Sequence, residues 1–158
     1  MPRAPDRRKG TIPMPKTKAR LGAGSILRRG DGTTPIEVFQ SVGQVIDITP
    51  PSRTRDRIDA THMESPDDYS ESISGYKQAG NVTVSLNFDP SDSMQGLLEA
   101  DFEQATERNW QVRIGSTGYR FAFRATVLEM SPITPRNDRM TQSVVFSPSG
   151  KIYRELDA

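Results

Sequence analysis

The side chains able to do chemistry gather in one short polar stretch. Asp59, His62, Glu64, Asp67, Asp68 and Glu71 fall within residues 59–71. Paired carboxylates can hold a divalent cation or share a proton, and a neighbouring histidine can act as a general base. Their spacing fits neither use. Asp67-Asp68 lacks the alternating ligand positions and the central glycine of a calcium loop. His62 is the only histidine, and no nucleophile or acid stands at motif spacing from it. Ser65-Pro66-Asp67-Asp68 is turn chemistry. Neither a phosphate-binding G-x-x-x-x-G-K loop nor G-x-G-x-x-G nor a G-x-S-x-G elbow occurs. With no cysteine, disulfides and thiolate metal sites are excluded. The residues therefore point to no catalytic site, no metal and no cofactor, and the chain does not read as an enzyme.

Positive charge offers a second possibility. Residues 1–30 carry nine Lys or Arg against Asp6 alone, while residues 56–107 carry twelve acids against Arg57 and Lys77. Opposite blocks on one chain suit self-association, and each block is equally compatible with a solvated face. Residues 1–24 hold Pro2, Pro5, Pro13, Pro15 and three glycines, with too few apolar side chains to offset their ordering entropy. They read as a flexible basic arm, with Arg7, Arg8, Lys9, Lys16 and Lys18 as its contact residues. Such an arm can meet phosphates without sequence preference, but no aromatic residue interleaves with the charges to stack on bases.

The elements that must position these groups are mostly strands. Ile36, Val38, Val45, Ile46 and Ile48 lead to Pro50-Pro51, which ends any ladder because proline donates no N–H. Residues 50–81 form a long polar excursion with at most a short strand near Ile58 and Ala60. Val82, Val84, Leu86 and Phe88 then alternate with polar residues, the signature of a half-buried strand. Asp89 or Ser91 can cap a helix over residues 92–107, where Met94, Leu97, Leu98, Phe102 and Ala105 form one apolar stripe. Trp110, Val112 and Ile114 alternate again, Gly115-Ser116-Thr117-Gly118 supplies a hairpin turn, and Phe121, Phe123, Ala125 and Val127 line the return. A last strand falls near Thr141–Ser147, and Arg120 and Arg124 are expected to face outward or towards neighbours. The expected fold is mainly β: an antiparallel β-sandwich or barrel-like domain over residues 25–158 with one flanking α-helix. Only 34% of residues are hydrophobic, too few for a self-sufficient core of this length, so either part of the chain is irregular by itself or subunits share buried surface. No apolar run is long enough to span a membrane.

The order of these segments resembles the tail tube (major tail) proteins of long-tailed bacteriophages, of the lambda type. The carriers are ITPPSRTRDRIDATHMESPDDYSESISGYKQAGNVTVSLNFDP, the helix SMQGLLEADFEQAT and the strand NWQVRI, between about Gly43 and Phe146. The resemblance implies a structural virion protein, made in the host cytoplasm, whose hexameric rings stack into a tube through which double-stranded DNA passes without specific binding. Tape measure, terminator and distal tail proteins would be its other partners. A terminator, a baseplate component, or an inner tube of a contractile tail or type VI system is the alternative. On the same resemblance, Arg57, Asp59, Thr61, His62, Ser65, Pro66, Asp67, Asp68 and Tyr69, with Ile73 and Lys77 on the return limb, form a loop reaching a neighbouring subunit or ring. A channel for DNA must repel phosphates, which makes Glu64, Asp67, Asp68, Asp89 and Asp92 candidates for an acidic lumen.

Overall fold

The computed structural model describes residues 20–157. The contact residues expected on the arm, Arg7, Arg8, Lys9, Lys16 and Lys18, lie outside the described residues. Nine strands and one helix follow in order: β1 (Ile26–Gly30), β2 (Phe39–Ser41), β3 (Val45–Thr49), β4 (Arg53–Asp59), β5 (Ser72–Ala79), β6 (Val82–Asn87), α1 (Ser93–Glu103), β7 (Arg108–Arg113), β8 (Tyr119–Ile133) and β9 (Thr141–Leu156). Seven of them make one antiparallel sheet in the order β2-β1-β7-β8-β9-β6-β3, and β4 and β5 pair only with each other.

The connection between the sheet edges dictates its shape. β2 and β3 lie at opposite edges, yet only Val42-Gly43-Gln44 separate them in sequence. A flat seven-stranded sheet would put its edges roughly 29 Å apart, and this link reaches about 14 Å at most. The sheet must curl until its edges approach. The Val42 N–H donates to the Leu27 carbonyl at 2.8 Å, extending the β1–β2 ladder, and Gln44 takes a positive φ of 64° to turn the chain towards β3. β2 and β3 form no ladder with one another, so the barrel stays open and its two halves face each other as in a sandwich. Register shifts at Ala122/Arg124 and Val127/Glu129 give the long β8 the bends that curling needs.

The core fills the inside of this curl. Leu27, Val82, Val84, Leu86, Leu98, Trp110, Val112 and Phe146 are almost wholly buried. Trp110 and Phe146 meet at 4.5 Å between ring centroids with a tilt of 56°, and the Trp110 indole N–H donates to the Ala125 carbonyl at 3.3 Å. A buried indole with its polar edge satisfied contributes area without a desolvation cost. The turn joining β7 to β8 closes as the glycine spacing predicts. Gly115 has φ 45° and Gly118 φ 76°, and a β-carbon on Gly115 would stand 3.0 Å from the Ala23 carbonyl oxygen.

Several expectations need correction. The strand β1 was hidden in the sequence by its charges, because Arg28 and Arg29 read as the end of the basic block. Ile36 and Val38 are exposed and lie before the strand they were expected to form. Phe88 sits past the end of β6 and is only half-buried, its N–H bound to the Met140 carbonyl at 3.0 Å. The final strand runs nine residues beyond Ser147, to Leu156. Helix α1 ends at Glu103 rather than at 107. Ala105 adopts a left-handed φ of 49°, its N–H reaches the Phe102 carbonyl, and the Thr106 N–H reaches the Asp101 carbonyl at 3.1 Å. This paired closure satisfies the last free carbonyls and turns the chain into β7. At the other end Asp92, not Asp89 or Ser91, is the cap, accepting from the Met94 N–H at 3.0 Å. The buried face of α1 consists of Gln95, Leu98 and Asp101, so the apolar stripe is rotated away from the core. Leu97 and Phe102 remain 40% and 38% exposed.

Candidate functional site

The polar stretch over residues 53–79 is an arm built from β4 and β5. Every residue of β4 is exposed, and β5 is scarcely better covered. A two-stranded ribbon is marginal in water by itself. This one also exposes apolar surface: Ile58 and Ile73 are directly opposed in the ladder at 48% and 57% exposure, and Tyr76 is 86% exposed. Nothing in the period-2 pattern of RTRDRID marks it as a strand, because neither of its faces is apolar. Its ladder with β5 is what makes it one.

The end of the arm is tightly tied. Asp59 accepts from the Thr61 N–H at 2.9 Å and from its hydroxyl at 2.5 Å, and these bonds, helped by the charge of Arg57, hold the Asp59 carboxyl below its usual range. The Thr61 hydroxyl in turn accepts from the Glu71 N–H at 3.0 Å. Ser65 Oγ accepts from the His62 N–H at 3.1 Å, and His62 Nδ1 lies 3.3 Å from a Glu71 carboxylate oxygen. Pro66–Asp68 forms a single 3-10 turn closed by the Tyr69 N–H on the Pro66 carbonyl. Asp67 and Asp68 both carry φ of 56°, a left-handed backbone that aspartate tolerates better than most residues. The tip thus presents Glu64, Asp67 and Asp68 flanked by the exposed Met63 and Tyr69.

The base of the arm has the opposite charge. Between it and β9 lies a groove of about 800 Å³, lined by Arg53, Arg55 and Lys77 on the arm and by Pro148, Lys151 and Ile152 on β9. Arg55 and Lys77 are directly opposed in the ladder. Like charges in that position repel one another. Ion pairs of arginine among the described residues fall elsewhere, on Arg28, Arg29, Arg108, Arg113, Arg120 and Arg124.

The clusters around Asp101 and Asp157 are what the sequence reading missed. Beneath α1, the Asp101 carboxylate accepts from Arg29 at 2.6 Å and from Arg108 at 2.7 Å, with Asp101 and Arg29 buried. The signal was present in outline: Asp101 follows Leu98 by three positions, on the face where a core residue belongs. Near the end of the chain Asp157 meets Arg28 at 2.8 Å, Arg113 at 3.1 Å and Arg120 at 3.5 Å. The Arg28 hydrogen bond first, and then the three guanidinium charges, hold its carboxyl below the usual range. Arg120 also binds Glu155 at 3.1 Å, so it is engaged within its own chain, whereas Arg124 is exposed and 4.0 Å from Glu107. The segregated charge blocks of the sequence are therefore partly neutralised internally.

The structure brings together Arg57, Asp59, Thr61, His62, Glu64, Ser65, Pro66, Asp67, Asp68, Tyr69, Ile73 and Lys77 on the arm. Asp89 and Asp92 stand apart, at the turn into α1. Asp89 accepts from the Ser91 hydroxyl at 2.6 Å and from its N–H at 3.0 Å, which lowers its carboxyl pKa. Among the described residues no group of three or more His, Asp or Glu could hold a metal ion, and no helix is long and apolar enough to cross a membrane.

Comparison with known proteins gives this arrangement a context. No curated protein matches the sequence. Among solved structures the fold is similar to a chain in the virion of a native gene transfer agent (GTA) particle, with a TM-score of 0.69 at 14% identity, covering 87% of this chain and 99% of that one. It is likewise similar to a chain of the anti-feeding prophage (AFP) baseplate, with a TM-score of 0.69 at 5% identity, covering 90% and 99%. The SPP1 tail tube gives a TM-score of 0.60 at 6% identity, covering 84% and 76%. At such identities the likeness is one of fold. A family model described as lambda phage tail tube protein, by contrast, matches residues 30–154, from the end of β1 into β9. The chain belongs to that family, and is a structural component of a phage tail tube.

Proposed function

We propose that this subunit assembles into hexameric rings that stack head to tail, forming a passive conduit for the phage genome and catalysing nothing. The observation that carries the reading is the arm β4–β5, a ribbon with both faces in water and apolar residues on display. Such an element is completed only by another surface, and repeated heterologous contacts build a filament. A GTA tail refined with C6 symmetry, similar in fold at 14% identity, supports six copies per ring. The chain then divides into a basic arm over residues 1–24 and a tube domain over residues 25–158. The tube's ends would meet terminator, distal tail and tape measure proteins. DNA would slide past carboxylates chosen from Glu64, Asp67, Asp68, Asp89 and Asp92, because a channel wall of like charge does not hold phosphates.

Deleting residues 61–72 tests the reading. The truncated subunit should keep the melting temperature of its soluble form and lose the ability to make tubes in negative-stain images. Normal tubes from that variant would remove the arm from assembly.

A further inference from the structure

The charge at the two ends of the arm is opposite, and the geometry prevents one molecule from using both. At about 3.4 Å per residue, Arg53 lies roughly 20 Å from Asp59 along β4, and Glu64, Asp67 and Asp68 lie beyond Asp59. An extended ribbon does not fold back on itself. The groove at its base, with Arg53, Arg55, Lys77 and Lys151 around Pro148 and Ile152, therefore cannot be filled by the tip of the same chain.

We infer that the groove is the receptor for the arm tip of a second copy. This rests on the assembly reading above and names the surface on which the arm lands. Three properties match. Glu64, Asp67 and Asp68 on the tip meet four cations, and Arg55 opposite Lys77 is a like-charge pair that an incoming carboxylate relieves. Met63 and Tyr69, both highly exposed, flank the tip acids, and the groove offers the half-buried Pro148 between its cations over a floor that includes the buried Ile152. The tip is also preset: hydrogen bonds from Thr61 to Asp59, from His62 to Ser65 and from Tyr69 to Pro66 hold its shape, so little ordering entropy is lost on docking. The contact joins two different patches and is directional, so each copy offers a tip to one neighbour and a groove to another. The tip carboxylates are then used between subunits, which leaves Asp89 and Asp92 as the lumen candidates.

The test is a charge exchange. A groove variant carries Arg55→Glu, Lys77→Glu and Lys151→Glu; a tip variant carries Glu64→Lys and Asp67→Lys; a third protein carries all five. Melting of the soluble subunits shows whether each is folded. Sedimented tube mass, with negative-stain images, reports assembly. Each single-sided variant should lose tubes by about tenfold or more at fixed concentration, and the five-site protein should recover a large part of that loss. Groove-variant tubes at wild-type level would overturn the pairing. So would folded single-sided variants whose combination stays inert. If the groove variant polymerises normally but loses salt-dependent affinity for a DNA duplex, the groove is a phosphate site instead. Failure here is separable from failure of the assembly reading: the 61–72 deletion would still abolish tubes in the first case and would not in the second.

Discussion

The open barrel and the β4–β5 arm share one sheet chemistry and differ in what stands behind it. In the barrel the inner strands have a packed face: Val82, Val84 and Leu86 alternate inward against Trp110, Val112, Val144 and Phe146. On the arm Arg53, Arg55 and Arg57 alternate with Thr54, Asp56 and Ile58, and neither side has a layer to pack on. The same backbone hydrogen bonding therefore ends in a self-sufficient body in one place and an unfinished surface in the other. Hydrogen bonds alone contribute little net stability, since water replaces them in the unfolded chain. Burial separates the two regions.

The contrast can be broken at several strengths. Phe146→Ala removes a wholly buried ring packed at a tilt against Trp110 and should cost about 3–5 kcal/mol in denaturant unfolding of the soluble subunit. A much smaller loss would mean that the curl is loosely packed. Asp101→Asn should come next, at roughly 3 kcal/mol or more, because it leaves the buried Arg29 without its charge partner. Restoration by simultaneous replacement of Arg29 with Met would show that the loss comes from the stranded charge. Asp157→Asn should act through pH. The wild-type carboxyl is held low in the folded state, so its stabilisation is complete above the ordinary carboxylate pKa and fades as acid brings the pH down through the lowered value. The variant should be less stable at neutral pH and show a shallower loss below about pH 4. Equal acid slopes in the two proteins would deny Asp157 that role. The smallest change is expected on the arm. Ile73→Ser should leave the melting of the soluble subunit within about 0.5 kcal/mol of wild type while weakening tube formation. A large stability loss there would show that the arm is already packed within one subunit.

Legibility in the sequence followed the same boundary. The alternation in Val82–Leu86 and in Trp110–Val127, the Gly115–Gly118 turn and the presence of one helix after Asp89-Pro90 were readable, because each is a local pattern with a local cause. Strand β4 was legible only as a short stretch near Ile58, because a ribbon exposed on both faces has no hydrophobic period to read. Strand β1 was missed for a related reason: Arg28 and Arg29 look like surface charge until Asp157 and Asp101 arrive from residues far along the chain. The stripe on α1 misled for the same cause, since Asp101 and Gln95 occupy the inner face through partners that periodicity cannot see, Gln95 bonding the Asn87 carbonyl at 2.7 Å.

By itself the order of residues determined a mainly β chain with one helix, no thiol chemistry and a polar excursion rich in acids, since these depend on composition and on neighbours a few positions apart. Only the tertiary structure decided that the two sheet edges approach one another, which arginines are consumed inside the subunit, and that acids and cations stand at opposite ends of one arm. Those are relations between segments distant in sequence. The first follows from joining opposite edges of a curled sheet through a three-residue link, and no local pattern contains any of the three.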